Sequence, residues 1–239
     1  MCVLTLAWNV HPDWLLVAAG NRDEAHARPT APLARWNDGS GVIGGRDLRS
    51  GGMWLGVSEA HARFAVVTNV SGEGAPDPSL RSRGDLVHDA LVNREPFEGR
   101  PPEGYNPFNL IVVAGDAARL TSNRPRSLER RLGPGWHGLS NGLVDAPWDR
   151  ITRLTAAAEA WLDTSPAQPN GLLGSLDDRE TQDPRSAERP IFLQNDVYGT
   201  RCSTVVAVDR LGAGRIWERR FDAAGAVTGE IEIAFHWLT

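Results

Sequence analysis

The sequence predicts an α+β fold with mainly antiparallel sheets, because strand-like and helix-like segments occur in separate blocks along the chain. Short apolar runs bounded by turns come first, a helical pattern follows, and further strands, helices and strands complete the order. Two arrangements satisfy this order: two packed sheets covered by helices on both outer faces, or one large sheet with helices on one side. We expect a single domain over residues 1–239, since 41% apolar residues suffice for a sizeable core.

The first half of the chain predicts two strand pairs and one helix. The predicted strands are residues 2–8, 14–19, 42–45, 53–57 and 64–69. Apart from the short strand at 42–45, the stretch from 25 to 49 is rich in Pro, Arg, Gly and Asp and is typical of a long loop. Apolar residues at helical spacing then predict a helix from about residue 79 to 92.

The second half predicts more strands around two helices. The predicted strands are residues 108–114, 118–123, 136–141, 203–208, 215–221 and 227–236. A helix is expected to begin in Asp145-Ala146-Pro147-Trp148, where proline suits an early helical position. Leu154, Ala158 and Leu162 then lie on one face of that helix, and a second short helix is expected at 171–176.

Composition and charge narrow the classes of partner. The net charge is −5, so the chain lacks the basic balance typical of proteins that bind nucleic acid or anionic membranes. The first apolar run is broken early by Asn9, Pro12 and Asp13, which is unlike a signal peptide, and no run reaches the roughly 20 apolar residues of a membrane span. We therefore expect a cytoplasmic protein.

Cys2 is the first candidate for chemistry because it stands directly behind Met1 and opens a buried strand. If Met1 is removed, Cys2 gains a free α-amine, whose pKa of roughly 7.7 to 8 suits a base for the thiol. The alternative is that Cys2 is only the first core residue of a strand, and position alone does not separate the two. Cys202 is expected to be an inert apolar residue, and a disulfide between the two is not expected in a reducing compartment.

The polar cluster Asn21-Arg22-Asp23-Glu24 follows the second apolar run directly. Such a cluster is often a plain surface turn, but a hairpin would return it to the Cys2 end of the first strand. There an aspartate can hold an ammonium group, and an arginine can lower a thiol pKa or bind a carboxylate substrate. Because neighbouring side chains on a strand face opposite ways, Arg22 and Asp23 are not both expected to point at Cys2.

Two asparagines, Asn69 and Asn141, end apolar stretches and are candidate oxyanion donors, although each alone is an ordinary turn residue. Arg201 directly precedes a very apolar strand. Nine tryptophans are present; most are expected in the core, while some, such as Trp54, could line an apolar pocket. The six histidines show no metal-ligand spacing, so no metal site is predicted.

These motifs occur together and in order. They are Met1-Cys2, Asn21-Arg22-Asp23-Glu24, Thr68-Asn69-Val70, Gly138-Leu139-Ser140-Asn141, Asp145-Ala146-Pro147-Trp148 and Tyr198-Gly199-Thr200-Arg201. In this combination the chain resembles the NRDE protein family, also called Transport and Golgi organization protein 2, and the resemblance spans nearly the whole chain. It implies an N-terminal nucleophile (Ntn) hydrolase fold, a four-layer α-β-β-α sandwich.

The resemblance, extended to the cysteine Ntn amidases, also implies roles for single residues. Cys2 matches the nucleophile, Asp23 the acid that positions its α-amine, and Arg201 the arginine near the thiol. Asn141 matches the side-chain oxyanion donor and Asn69 its partner. Arg22 lies where the family has its first arginine, although the amidases do not place it next to the aspartate, so the resemblance favours Asp23 as the residue that serves Cys2.

The expected function is hydrolysis of a linear amide or a thioester, with Asn21, Arg22 and Trp54 contacting the substrate. The alternative is a protein of the same fold that binds or carries haem or an acyl lipid without turnover. No cofactor is required for the first function, and haem is a candidate ligand for the second, with Cys2 or a histidine such as His26 or His137 as axial ligand. The sequence leaves the oligomeric state open.

Overall fold

The computed structural model describes residues 2–72, 74–92, 97, 101–144, 148–164, 168–180 and 189–238. The chain divides into two units. The first unit contains Met1–Ala27, Pro134–Ser140 and Ala146–Ala234, and the second contains Arg28–Gly133, Asn141–Asp145 and Phe235–Thr239.

The helices and strands follow one another in blocks. In chain order the described elements are β1 Cys2–Trp8, β2 Trp14–Ala25, β3 Thr30–Arg35, β4 Val42–Asp47, β5 Leu55–Ser58, β6 Arg63–Asn69, α1 Arg83–Leu91, β7 Phe108–Ala114, β8 Ala117–Ser122, β9 Leu128–Leu132, β10 Gly135–Leu139, α2 Asp149–Thr164, α3 Leu172–Ser175, β11 Tyr198–Asp209, β12 Ala213–Phe221 and β13 Val227–His236.

The first unit is built on a six-stranded sheet in the order β10-β1-β2-β11-β12-β13. One face of this sheet packs against α2 and α3, because alternate strand residues such as Val3, Ala19 and Val205 are apolar and buried there. On α2 the residues that meet them recur every fourth position, from Leu154 onward, which gives the helix one apolar face.

The second unit is built on a seven-stranded sheet in the order β3-β4-β5-β6-β7-β8-β9. Helix α1 covers one face and buries Leu86, Val87 and Leu91 against apolar residues of the strands. The helix begins after Ser82, whose side chain accepts a hydrogen bond from the backbone N–H of Gly84 at 3.2 Å.

The predicted α+β class with mainly antiparallel sheets is confirmed, and the arrangement with one large sheet is wrong because there are two. The four-layer sandwich and the single domain stay predictions. The stretch from 25 to 49 holds two strands, β3 and β4, rather than one, because Thr30–Arg35 pairs with Val42–Asp47 despite its proline. The predicted start of the second helix, at 145–147, lies outside the described residues.

Three further boundaries differ from the prediction. β2 continues to Ala25 rather than ending at residue 19, because its polar end pairs with β11. The first helix begins at Arg83 rather than 79, since Ser82 caps it. β9 was not expected from its charged sequence, but it pairs with β8 as an edge strand. No described helix has both the length and the apolar character that crossing a bilayer requires.

The β1–β2 hairpin depends on the absence of a side chain at Gly20. A Cβ atom there would lie 2.7 Å from the carbonyl oxygen of Val3, a backbone atom that cannot rotate away. We expect Gly20→Ala to lower the free energy of unfolding by about 1–3 kcal/mol through overpacking, measured by urea denaturation. Gly229→Ala is the matched strand control, since a Cβ at Gly229 meets no atom within 4 Å; equal stability of the two variants would contradict the close approach.

Candidate functional site

The register of the β1–β2 hairpin places Cys2 directly opposite Arg22. The hairpin was predicted, and the polar cluster does return to the Cys2 end of β1. It lies inside β2 rather than in a surface turn, and Asn21, Arg22 and Asp23 are all buried. β2 is an inner strand paired on its other side with β11, so the cluster is fixed from both sides.

The four residues of the polar cluster project alternately to the two faces of the sheet. Residues opposite each other in an antiparallel pair project to the same face, so the Arg22 side chain shares a face with the Cys2 thiol. Arg22 Nη2 donates to Glu24 Oε2 at 3.4 Å on that face. Asn21 and Asp23 project to the face that packs against α2 and α3. The resemblance favoured Asp23 as the residue aimed at Cys2, whereas the structure places the Arg22 side chain on the thiol's face.

Asp23 is held by three side chains. Arg150 Nη2 on α2 donates to Asp23 Oδ2 at 3.1 Å, and Thr200 Oγ1 on β11 donates to Asp23 Oδ1 at 2.7 Å. Tyr198 Oη donates to the Asp23 carbonyl oxygen at 2.6 Å. Burial raises the pKa of the Asp23 carboxyl above its ordinary value, and the Arg150 guanidinium opposes that rise.

Cys2 lies at the start of β1 with 8% of its surface exposed. Burial raises the pKa of its thiol, and the Asp23 carboxylate adds to the rise. The Arg22 guanidinium and a hydrogen bond from the backbone N–H of Asp23 act in the opposite direction. Ser140 Oγ donates to the Cys2 carbonyl oxygen at 3.0 Å and so fixes the backbone beside the thiol.

A row of side chains crosses four strands on the thiol's face. Cys2 on β1, Arg22 on β2, Cys202 on β11 and Arg220 on β12 are register partners in succession. Arg201 precedes Cys202 at a register shift of β11, the kind of irregularity that redirects a side chain. Desolvation lowers the pKa of Arg201, and the positive charges of Arg22 and Arg220 lower it further, so the three guanidinium groups act on one another.

Cys202 is a poor nucleophile although it lies in the same row. Burial raises the pKa of its thiol strongly, and the buried Glu218 carboxylate adds to that rise. Both cysteines are free thiols, and β2 runs between their strands. Cys202 therefore fits the inert role expected for it.

Asn21 has a structural role in the first unit. Its Nδ2 donates to the carbonyl oxygens of Leu176 at 2.8 Å and Ile191 at 3.1 Å, and its Oδ1 accepts from Ser203 Oγ at 2.6 Å. These bonds tie the segments around α3 and residue 191 to the sheet. Asn21 stays a predicted substrate contact, but its Nδ2 could donate to a substrate only by breaking one of these bonds.

The candidate oxyanion residues lie in the second unit. Asn141 is 1% exposed, and its Nδ2 donates to the carbonyl oxygen of Asn69 at 2.8 Å. The Asn141 carbonyl oxygen accepts from the backbone N–H of Ser71, and Asn109 Nδ2 donates to the carbonyl oxygen of Gly142, both at 2.8 Å. These bonds from the end of β6 and the start of β7 hold the backbone around Asn141, and the bond to Asn69 orients its side-chain amide. Asn69 itself is exposed.

Trp54 is half-buried in the second unit, just before β5, and its carbonyl oxygen accepts from the backbone N–H of Val67 at 2.8 Å. Its predicted contact with a substrate remains a prediction. Within the first unit, His26 Nε2 lies 2.8 Å from the carbonyl oxygen of Asn195, and Arg201 Nη1 donates to the His26 carbonyl oxygen at 2.6 Å. His26 therefore supports Arg201 through its backbone.

Three residues of the site were not predicted: Arg150, Thr200 and Arg220. Arg150 carried a readable signal, because it precedes Leu154 by four positions and so belongs to the apolar face of α2. An arginine on an apolar face indicates a buried partner. Thr200 lies in the motif Tyr198-Gly199-Thr200-Arg201, but its contact with Asp23 follows from the register of β11 with β2. The place of Arg220 follows in the same way from the register of β11 with β12.

The Thr200 hydroxyl has a testable effect on the buried carboxylate. Thr200→Val keeps the shape of the side chain but removes the donor to Asp23 and the acceptor for the backbone N–H of Leu193. We therefore expect a loss of about 1.5–3 kcal/mol in the free energy of unfolding at pH 7. Thr200→Ser is the control, because it keeps the hydroxyl and loses one methyl group, worth about 0.8 kcal/mol. Urea denaturation measures both, and a serine variant as unstable as the valine variant would contradict the assigned bond.

Comparison with known proteins assigns the chain to a family. The family model described as Transport and Golgi organisation 2 matches residues 1–223. The chain is 30% identical over 258 residues to a Transport and Golgi organization protein 2 homolog of Bos taurus, with 92% of each chain covered. It is 28% identical over 250 residues to Transport and Golgi organization protein 2 of Drosophila melanogaster, covering 87% of this chain and 88% of that protein. The chain therefore belongs to the Transport and Golgi organisation 2 family.

Proposed function

We propose that the chain is a cysteine hydrolase that cleaves a linear amide, or a thioester, of a small or acyl substrate. Cys2 is the nucleophile once Met1 has been removed. The observation that carries the proposal is the setting of Cys2, which opens β1 directly opposite Arg22 and accepts a hydrogen bond from the backbone N–H of Asp23.

The α-amine supplies the base that the buried thiol needs. Burial holds the pKa of the Cys2 thiol above its ordinary value, so the thiolate is scarce at neutral pH unless a nearby group takes the proton. An α-amine has a pKa of roughly 7.7 to 8 and lies on the same residue. Asp23 lies beside Cys2 across the hairpin, and its carboxylate is suited to hold that amine in place.

The reaction runs through an acyl-enzyme. The amine takes the thiol proton, and the Cys2 sulfur forms a bond to the substrate carbonyl carbon. The C–N or C–S bond then breaks as the ammonium returns a proton to the leaving amine or thiol. Water, giving its proton to the same amine, attacks the thioester, and the Cys2 thiol is released with the carboxylic acid.

The oxyanion donors are assigned from the resemblance, with Asn141 as the side-chain donor and Asn69 as its partner. The bond from Asn141 Nδ2 to the Asn69 carbonyl oxygen supports a fixed amide orientation, which an oxyanion donor requires. Loss of such a donor typically costs about 3–4 kcal/mol of transition-state stabilisation.

The arginines of the first unit favour a substrate that carries a negative charge near the bond that breaks. Arg22 pairs with Glu24 at 3.4 Å and Arg220 lies 4.0 Å from Glu218, so these two cations have carboxylate neighbours. Within the described ranges Arg201 has no carboxylate within 4.0 Å, and its pKa is lowered first by desolvation and then by the positive charges of Arg22 and Arg220. A carboxylate or phosphate on the substrate would relieve that repulsion.

One observation favours a second function, a carrier of an acyl lipid that does not turn it over. A thiol whose pKa is raised by burial is unreactive, which suits a binding protein as long as Met1 is retained. The names of the relatives also refer to transport and Golgi organization rather than to hydrolysis. Haem fits this carrier less well, because a raised pKa disfavours the thiolate ligand and His26 Nε2 lies against the Asn195 carbonyl oxygen.

The test is a substrate screen with two matched cysteine variants. N-acyl amides and acyl thioesters, each with and without a carboxylate near the scissile bond, are incubated with the wild type, Cys2→Ala and Cys202→Ala, and the released acid is measured. We expect the wild type and Cys202→Ala to hydrolyse at least one anionic substrate, and Cys2→Ala to lose about 10³-fold or more in kcat/KM.

Two results would contradict the hydrolase. Activity that survives Cys2→Ala at the wild-type level removes the nucleophile. Absence of turnover in the wild type, together with equal binding of a long-chain acyl thioester by the wild type and Cys2→Ala in calorimetry, assigns the carrier function instead.

A further inference from the structure

Arg150 is a buried charge beside Asp23 that the reaction described above does not use. Its side chain is 2% exposed and that of Asp23 is 0% exposed, so the pair is sealed from water. A single nitrogen, Nη2, donates both to Asp23 Oδ2 at 3.1 Å and to the Ile191 carbonyl oxygen at 2.8 Å. The Nε and Nη1 groups are buried as well and have no hydrogen-bond partner among the described residues.

The position of Arg150 is fixed by the packing of α2. The next residue, Ile151, packs so closely on β10 that a Cβ atom at Gly138 would lie 2.1 Å from Ile151 Cγ2. Four positions along the helix, Leu154 is buried in the core of the first unit. The first turn of α2 therefore cannot move away from the sheet without breaking these contacts, and the guanidinium is held at Asp23.

The other groups near the Asp23 carboxylate on β1, β2 and β11 do not neutralise its charge as Arg150 does. From β11 the carboxylate meets the neutral hydroxyl of Thr200, and the phenol of Tyr198 bonds to the backbone carbonyl oxygen instead. The Cys2 thiol on β1 projects to the other face of the sheet, and the Asp23 carboxylate affects it only through its charge. On its own strand, Arg22 and Glu24 project to the opposite face and pair with each other.

The neighbouring arginine on α2, Arg153, pairs with other carboxylates. Arg153, one turn further, bonds to Asp149 Oδ2 at 2.8 Å and to Asp178 Oδ2 at 2.6 Å. Arg150 is therefore the guanidinium that α2 presents to the Asp23 carboxylate. Because arginine does not lose its proton in a protein, a protonated Asp23 would leave a buried and uncompensated cation, which is strongly unfavourable.

We propose that Arg150 is a positioning residue of the Cys2 site, whose guanidinium holds the Asp23 carboxylate ionised and in place so that it can bind the α-amine of Cys2. The inference rests on the proposed function for its last step. The ion pair has no net charge, so Asp23 can accept a hydrogen bond from the amine without stabilising the ammonium form as a lone carboxylate would. With Arg150 beside it, the Asp23 carboxylate can orient the amine, and the amine remains a base near neutral pH.

The first test follows the Asp23 carboxyl directly. The protein is labelled with ¹³C at the aspartate carboxyl carbons, the Asp23 signal is assigned with Asp23→Asn, and its pH titration is recorded in the wild type and in Arg150→Met. We expect the titration midpoint of Asp23 to rise by about one pH unit or more in Arg150→Met, a tenfold gain in proton affinity. Arg150→Gln keeps a hydrogen-bond donor without the charge, gives the same shift, and serves if the methionine variant does not fold.

The second test follows the rate at which Cys2 reacts with iodoacetamide between pH 5.5 and 9, in protein whose intact mass shows loss of Met1. In the neutral variants Asp23 is protonated at low pH and ionises as the pH rises. We therefore expect a deficit of about tenfold relative to the wild type near pH 6 that disappears towards pH 9. Arg150→Lys keeps the charge and should restore the wild-type pH profile, and Arg153→Met, on the same helix, should leave it unchanged.

The two readouts separate the failure of this inference from that of the proposed function. An unchanged Asp23 midpoint in Arg150→Met and Arg150→Gln, or a deficit of the same size at every pH, would overturn the role of Arg150. If the Asp23 midpoint shifts as expected while wild-type Cys2 reacts as slowly as an ordinary buried thiol, Arg150 does hold Asp23 ionised and the nucleophile assignment is what fails.

Discussion

The site depends on the pairing of β2 with β1 on one side and with β11 on the other. This register puts Cys2 opposite Arg22 and Thr200 opposite Asp23, and a slip of one residue would move every one of these side chains to the other face. The register is specified by burial, because Val3 and Ala19 must face the helices while Leu4 and Leu16 face away from them. A polar motif in an inner strand is stable here because the apolar part of the same hairpin fixes its position.

The two faces of this one strand separate two kinds of charge. Asp23 meets a single buried cation and neutral hydroxyls on the helix face, so its charge is compensated locally. On the other face three positive charges repel one another, those of Arg22, Arg201 and Arg220. Glu24 lies beside Arg22 and Glu218 beside Arg220. The first arrangement is suited to orienting an amine and the second to attracting an anion, and for these two reasons we propose a hydrolase with an anionic substrate.

The sequence predicted the parts of this site that depend on local pattern. The hairpin followed from two apolar runs around a turn, and the candidate residues Cys2 and Asp23 followed from their place at its ends. The partners from distant segments could not be predicted, because Arg220 reaches the row through β12 and Thr200 reaches Asp23 through β11. The extension of β2 to Ala25 was missed for the same reason, because residues 23–25 continue the strand only through their pairing with β11.

The central claim is that Cys2 carries a free amine and reacts as an activated nucleophile. The most direct measurement is the intact mass of the protein before and after a brief, limiting treatment with a thiol alkylator, with the labelled site mapped by peptide mass. We expect a mass that lacks Met1 and rapid labelling at Cys2 alone, because Cys202 is buried with a raised thiol pKa and has no α-amine to act as its base. A retained Met1 together with slow labelling of Cys2 would contradict the amine-assisted mechanism and leave the carrier of an acyl lipid as the function to pursue.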